Sequence, residues 1–280
     1  MKAVEWGWPS LEVRVVKPQP ISLAPAASRR QGEVRRPWQG PRRGHEPLEI
    51  PRLAVRRYES QDGCRYYITN EGVYPSATTI ISAVVGKPGL VSWVKRTALE
   101  TVRRLVANGA DLEDALQVAE MEAERLRDEG ALRGSRVHTA IAKALAGQDY
   151  GPEWQGWVQA AQDFLARYSL EPKAVEVVLI SRCFGFGGSA DLICQAGDGS
   201  VALVDWKSGR HPFLAESALQ VGAYSLAFTE LTGRPVAHGY VVALRESGRY
   251  EVRQVNLPLA KEAFLACLTL WKALRGELYE

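Results

Sequence analysis

From Leu90 to Gly147 the apolar residues recur at spacings of three and four. Val91, Val94, Ala98, Val102 and Leu105 form one such stripe, the period of an amphipathic helix. Asp111–Glu129 and Ser135–Ala146 predict two more helices. Asn108–Gly109 and Glu129–Gly130 supply the breaks, and a further helix fits Glu153–Tyr168. After Pro172 the character changes. Val175–Ile180, Ala190–Cys194 and Val201–Trp206 are short runs rich in β-branched residues, separated by glycine-rich turns. A helix over Pro212–Leu231, strands Gly239–Leu244 and Tyr250–Val255, and a helix from Pro258 to about Arg275 complete the pattern. Upstream, the run from Leu53 to Ile68 predicts a hairpin turning at Asp62–Gly63, and Tyr74–Thr79 reads as extended, with Ser76 or Thr78 able to cap a helix. Helices, then strands, then a helix packed on the sheet give an α/β or α+β class. No internal repeat is visible.

Residues 1–52 stand apart. The first 50 residues hold 7 of the 15 prolines, and Ser28–Gly44 shows no sustained period of either kind. This reads as a disordered basic Pro/Arg-rich arm, with order beginning near Leu53. Residues 1–60 carry 12 Lys/Arg against 6 Asp/Glu, a balance of +6, whereas the whole chain has a formal charge of only +3. Such an arm can contact DNA by releasing counterions, can engage a protein partner, or can remain solvated without either.

The 280 residues suffice for one large domain plus an appendage. No apolar run approaches the ~20 residues of a membrane-spanning helix, and the N-terminus lacks the apolar core of a secretory signal. Glu5, Glu12 and Glu33 argue against an organelle transit peptide. The cysteines (Cys64, Cys183, Cys194, Cys267) are far apart and form no CxxC, as fits a reducing cytoplasm.

The segment Gly187–Gly209 is the most informative. Gly197-Asp198-Gly199 is a strong turn signal. In a hairpin symmetric about Asp198, Asp191 and Asp205 face each other across the strands with Cβ atoms about 5 Å apart. Two carboxylates that close repel unless a cation lies between them. Alternation places Asp205 and Lys207 on one face and Trp206 on the other. VALVDW, apolar on both faces, is the pattern of a central covered strand. A divalent cation with a phosphate would satisfy Asp205 and Lys207, and so would a buried ion pair. Gln220 and Tyr224, four apart, project from one helix face. His138 lies among the core-like Val137 and Ile141, where a packed, hydrogen-bonded histidine is equally at home. Glu176 is a charge within an apolar strand, calling for a cation or for solvent at a sheet edge.

Taken in order, Gly134-x3-His138, Glu176, Gly188-x2-Asp191, Asp205-x-Lys207 and Gln220-x3-Tyr224 resemble the RecB-like branch of the PD-(D/E)xK nucleases. Within that branch the chain looks similar to the mitochondrial genome maintenance exonuclease group and its phage and bacterial relatives. Tyr66–Tyr67, Tyr74–Thr79 and Leu90–Trp93 resemble that group's tyrosine-rich hairpin, YPS-TT stretch and L-x2-W helix. The resemblance covers residues 55 to 275 and leaves the arm outside it. It implies a restriction-endonuclease-like core over residues 53–280, a central mixed β-sheet flanked by helices and preceded by a helical segment. It further implies that His138, Glu176, Asp191, Asp205 and the Trp206 carbonyl hold Mg²⁺ or Mn²⁺, a fitting ion for carboxylates and one imidazole. Lys207 would activate water and offset phosphate charge, Gln220 and Tyr224 would position Lys207 and the backbone, and Ser208 matches a small hydroxyl residue common there. The implied products carry a 5′-phosphate and a 3′-hydroxyl. Cysteine spacings of 119, 11 and 73 residues lack the clustered triplet of iron–sulfur members, so no cluster is expected.

In the relatives a helical segment before the histidine motif forms an arch admitting single strands. Here residues 90–130 take that place, with Trp93 for stacking and Lys95, Arg96, Arg103 and Arg104 for phosphates; the same residues would also serve as core and solvated face. The expected activity is a single-strand-preferring DNA exonuclease of repair, recombination or replication. A structure-specific endonuclease and a non-catalytic single-stranded-DNA-binding accessory are the alternatives.

Overall fold

The computed structural model describes residues 48–277 apart from 62, 87 and 210–213. Nearly all of the basic arm therefore lies outside the described residues, as do Asp62 of the first turn and Pro212 at the expected start of a helix. Leu48 and Ile50 already pack against the core, giving the end of the arm an apolar anchor.

The tyrosine-rich segment forms a three-stranded antiparallel sheet of β1 (Arg56–Glu59), β2 (Arg65–Ile68) and β3 (Val73–Pro75). Glu59 pairs with Arg65 across the first turn, as the hairpin pattern predicts. Ser76 then caps α1 (Ala77–Val84), its hydroxyl accepting from Thr79 N–H at 2.9 Å. Thr78 and Thr79 lie inside this helix rather than in an extended run, because the cap satisfies its free amides and Ile80 and Ile81 bury fully.

Helix α2 (Pro88–Ala107) and helix α3 (Leu112–Leu145) pack as an antiparallel pair. The stripe Val94, Ala98, Val102 and Leu105 is partly covered, whereas Val91 is 52% exposed. The break expected at Glu129–Gly130 does not occur: α3 runs 34 residues without interruption. A lone glycine costs a helix about 1 kcal/mol but does not end it without a left-handed turn or a following proline. Arg125, bonded to both Glu122 and Glu129, supports the turn on either side. The C-terminal part of α3 is held by burial of Val137, Ala140 and Ile141.

After α4 (Gln155–Arg167) comes a five-stranded mixed sheet in the order β4-β5-β6-β7-β8. Its strands are β4 (Leu170–Ser181), β5 (Phe186–Ala196), β6 (Val201–Lys207), β7 (Val236–Leu244) and β8 (Tyr250–Gln254). All neighbours are antiparallel except β6 and β7, joined through helix α5 (Ala215–Thr232). Central β6 is buried from Val201 to Trp206, the doubly covered strand its composition predicts. One apolar layer, including Ile193, Leu203, Ala223 and Phe228, lies between the sheet and helices α1, α5 and α6 (Leu257–Lys272). The other, including Leu192, Val204, Trp206 and Phe164, lies against α4 and the end of α3. Gly222 lets α6 cross α5 closely, since a Cβ there would stand 2.6 Å from the Ala260 carbonyl carbon. Among the described residues no helix is long and apolar enough to cross a membrane.

Candidate metal centre

The turn at Gly199 closes the β5–β6 hairpin in the expected register: Leu192 pairs with Val204, Ile193 with Leu203, Cys194 with Ala202 and Gln195 with Val201. The ladder ends at Leu192–Val204. Beyond it β5 stays on β4 while β6 continues only on β7, with Asp205 beside Val241 and Lys207 beside Ala243. The fork so formed leaves Trp206 with no strand partner on its β5 side. Its N–H instead donates to Asp191 Oδ2 at 2.8 Å, and its carbonyl lies 3.0 Å from His138 Nε2 on α3.

On the other side of β5, the pairs Val175–Leu192 and Val177–Ala190 put Glu176 opposite Asp191. Glu176 and Asp191 thus stand side by side, and Asp205, the first residue of β6 past the ladder, is near enough to Asp191 for their charges to interact. Here the apolar alternation slips. Ala174 and Val177 of β4, three apart, border the same layer, as do Ala190 and Ile193 of β5. The slip follows from Glu176 itself, whose φ of 51° is left-handed, a conformation costing a non-glycine residue about 1–3 kcal/mol. Glu176 is on the edge strand and half exposed, yet its Oε1 reaches within 3.7 Å of His138 Nδ1. Asp191 Oδ1 is 3.5 Å from the same nitrogen. Ligand atoms of His138, Glu176 and Asp191 lie within 4.8 Å of one another.

Asp205 is buried and Lys207 half-buried at the end of β6. Lys207 Nζ stands 2.9 Å from Asp205 Oδ1 and 2.8 Å from Oδ2, but only the first contact has hydrogen-bond geometry. Oδ2 is a buried carboxylate oxygen with no hydrogen-bond partner, an expensive state. Burial, opposed by Lys207 and reinforced by Asp191, pushes the Asp205 carboxyl up to about 6. At Asp191 burial also opposes charge, but His138 and Lys207 prevail and hold the carboxyl below its usual range. Burial disfavours a charged His138, yet Asp191 and Glu176 outweigh it and push the imidazole up to about 10. The protonated ring then supplies positive charge among the carboxylates. With Nε2 turned to the Trp206 carbonyl, Nδ1 is the ring atom able to join Glu176 and Asp191 on a cation. Three carboxylates, one imidazole and an orphaned buried oxygen fit a hard divalent ion.

Gln220 and Tyr224 of α5 complete the wall. Gln220 Nε2 donates to the Tyr224 hydroxyl at 2.9 Å. Burial, then Tyr67, Asp191 and Asp205, raise the Tyr224 phenol well above its ordinary value, so the ring stands close to both carboxylates. It lies flat enough on β5 that a Cβ at Gly188 would come 2.1 Å from its Cε1. That approach is the physical reason for glycine in Gly188-x2-Asp191. At the first position of Gly134-x3-His138, α3 passes Ser208, with 3.6 Å from a Cβ position at Gly134 to Ser208 Oγ. Two neighbours of the cluster are not among the residues the sequence singles out: Ser189, which donates to Glu176 at 3.3 Å, and Tyr67 as a site residue, whose ring abuts Gly187. The alternation in RYYI is the signal for Tyr67; Ser189 leaves none. Trp93 is half-buried on α2, and Lys95, Arg96, Arg103 and Arg104 are exposed there. None of these five takes part in the described interactions of the cluster.

A sequence model of the PD-(D/E)XK nuclease superfamily matches residues 92–277, a span containing every residue of the cluster. No curated protein matches the chain. Among solved structures, SSO0001 aligns with a TM-score of 0.33 and 11% identity, covering 66% of this chain and 88% of its own. An alkaline exonuclease (LHK-Exo) from Laribacter hongkongensis aligns with a TM-score of 0.26 and 18% identity, covering 48% of this chain and 79% of its own. Both likenesses are too distant to add to the family match.

Proposed function

This chain belongs to the PD-(D/E)XK nuclease superfamily, and on that premise we propose that it is a Mg²⁺- or Mn²⁺-dependent DNA exonuclease preferring single strands. It hydrolyses phosphodiester bonds to leave a 5′-phosphate and a 3′-hydroxyl, in cytoplasmic DNA repair, recombination or replication. The observation that carries this reading is the cluster of His138, Glu176 and Asp191 at the open end of the hairpin, with the Asp205–Lys207 pair near it.

His138, Glu176, Asp191 and Asp205 would hold the ion, joined by the Trp206 carbonyl. When bound, the ion lowers the pKa of its water and stabilises charge on the phosphate under attack. Lys207, beside Asp205, would orient the attacking water and offset charge on the scissile phosphate. Tyr224, fixed by Gln220 and by its seat on Gly188, presents its hydroxyl to the backbone near the cut, and Ser208, next to Lys207 in the chain, adds a second hydroxyl contact. Residues 53–280 form the nuclease domain. Within it the helices of residues 90–130 guide the strand, Trp93 stacking on bases and Lys95, Arg96, Arg103 and Arg104 meeting phosphates. The arm of residues 1–52 adds a DNA or protein contact outside it.

The test uses end-labelled single-stranded and blunt duplex oligonucleotides with Mg²⁺, Mn²⁺ or EDTA. Metal-dependent shortening of the single strand from one end, abolished by Asp205→Ala, is the expected result. Cleavage of closed circular DNA would replace the exonuclease by an endonuclease. Binding without cleavage in Mn²⁺ would leave a non-catalytic binding protein.

A further inference from the structure

The site has a charge problem. Glu176, Asp191 and Asp205 stand together, and Lys207 is engaged by Asp205. A nucleic-acid strand brings a further negative charge with each phosphate. A second cation beside the cluster, outside the metal ligands, would draw the strand in.

The three-stranded sheet offers one. Its register sets Arg57, Tyr67 and Tyr74 in one row, and Arg56, Ile68 and Val73 in the next, which alternation turns to the opposite face. Tyr67, 2% exposed, is the inner member: its Cδ2 lies 3.0 Å from where a Cβ of Gly187 would stand, and Ser76 bridges to the same glycine. This face therefore meets β5 just ahead of Asp191. Glu176 and Tyr224 are near enough to act electrostatically on the Tyr67 hydroxyl or to feel it. At the outer end Arg57 is exposed and is the cross-strand partner of Tyr67, close enough for its charge to act on that hydroxyl. Among the described residues it makes no ion pair, whereas Arg65 on the neighbouring strand contacts Glu59 at 3.7 Å.

We propose that Arg57, set beside Tyr67, is a subsite that grips a backbone phosphate of the substrate strand beside the metal centre. It rests on the nuclease reading and names a residue that reading does not use. The pairing sets the guanidinium beside the Tyr67 ring, on the face that meets β5. Its donors form a planar fork suited to two phosphate oxygens. The competing explanation is that arginine here is only a charge keeping edge strand β1 from pairing with other chains. Arg56, on the same strand and the opposite face, would serve that purpose equally and supplies the control.

The experiment measures binding of a fluorescein-labelled single-stranded oligodeoxynucleotide in EDTA over a series of KCl concentrations, and cleavage of the same strand in Mn²⁺. Arg57→Gln should weaken binding about tenfold and flatten the log K against log salt slope by about 0.7, one phosphate contact on a single strand. Its KM should rise with kcat kept at saturating DNA. Arg56→Gln should leave affinity and slope as in wild type, and Arg57→Lys should keep the slope while losing part of the affinity. Equal effects of Arg56→Gln and Arg57→Gln, or a fall in kcat with KM unchanged, would overturn the subsite. A wild type that cuts the strand while Arg57→Gln binds it unchanged would do so too, leaving the nuclease reading intact. Absence of both binding and cleavage by wild type would overturn the two together.

Discussion

The two halves of the β5–β6 hairpin are equally buried and treat their polar groups in opposite ways. In the turn half, from Leu192–Val204 to Gln195–Val201, each strand finds its partner in the other, and Leu192, Ile193, Leu203 and Val204 fill both apolar layers. Each such side chain contributes about 1.5–3 kcal/mol by leaving water. In the open half, Asp191 and Asp205 stand where apolar residues would otherwise continue, Trp206 has traded a strand partner for a carboxylate and an imidazole, and one oxygen of Asp205 has the Lys207 charge beside it but no hydrogen bond. A cluster of like charges and a left-handed Glu176 oppose folding; they persist because the covered turn half beside them fixes the register. The contrast teaches a division of labour within one hairpin: the closed ladder supplies stability, and the fork exposes backbone and carboxylate groups for chemistry.

Two substitutions on the same strand should separate these roles most sharply. Asp205→Asn should lower metal-dependent cleavage by about a thousandfold or more, the loss of several kcal/mol of charge stabilisation at the phosphate. The melting temperature without metal should stay level or rise, because the amide still accepts from Lys207 while the disfavoured buried charge is gone. Leu203→Ala should do the reverse. It should cost about 2–5 kcal/mol of stability while the rate per folded molecule stays near wild type. Thermal melts paired with active-site-normalised cleavage rates check both. If Asp205→Asn unfolds the protein, or Leu203→Ala costs rate without stability, the division fails.

The turn half is legible in the amino-acid sequence itself. Gly197-Asp198-Gly199 marks the turn, and alternation with β-branched residues sets the register that brings Asp191 to Asp205. Gly188, His138, Gln220 and Tyr224 are legible as spacings matching a family, without the reason for each. That reason is tertiary: Gly188 serves the Tyr224 ring, which arrives from a helix some thirty residues onward. The left-handed Glu176 is illegible, because nothing in the local sequence favours that conformation at a glutamate. Gly130 misleads about the unbroken α3 because a glycine marks a helix end only with other stop signals around it. Arg57 is hidden for a similar reason, since which face of a short strand meets the site depends on where that sheet docks.

A smaller effect probes how the open half is shaped from outside the hairpin. In Gly188→Ala the new methyl would meet the Tyr224 ring at 2.1 Å, so ring or strand must move. The expected cost is about 1–3 kcal/mol of stability, with a loss of rate because Tyr224 leaves Asp191 and Asp205. Gly188→Ala with Tyr224→Phe should still clash, since the methyl meets the ring and not the hydroxyl. Gly188→Ala with Tyr224→Leu should recover the stability and not the rate. Recovery by phenylalanine would show that the hydroxyl, not the ring, needs the glycine.

The smallest effect bears on whether the fork is built for a cation at all. If the carboxylate cluster is costly without metal, Mg²⁺ or Mn²⁺ should stabilise the folded chain by about 1.4 kcal/mol at tenfold excess over the dissociation constant, a rise of a few degrees in melting temperature. EDTA should reverse it. Leu203→Ala should melt lower but show nearly the same increment, because its lost contacts are in the turn half. Asp205→Asn should show little or none, because it removes the charge of the carboxylate whose buried oxygen has no hydrogen bond. An equal increment in Asp205→Asn would mean that the ion is held by His138, Glu176 and Asp191 alone. The open half would then end at Asp191, with Asp205 and Lys207 an ion pair inside the covered strand.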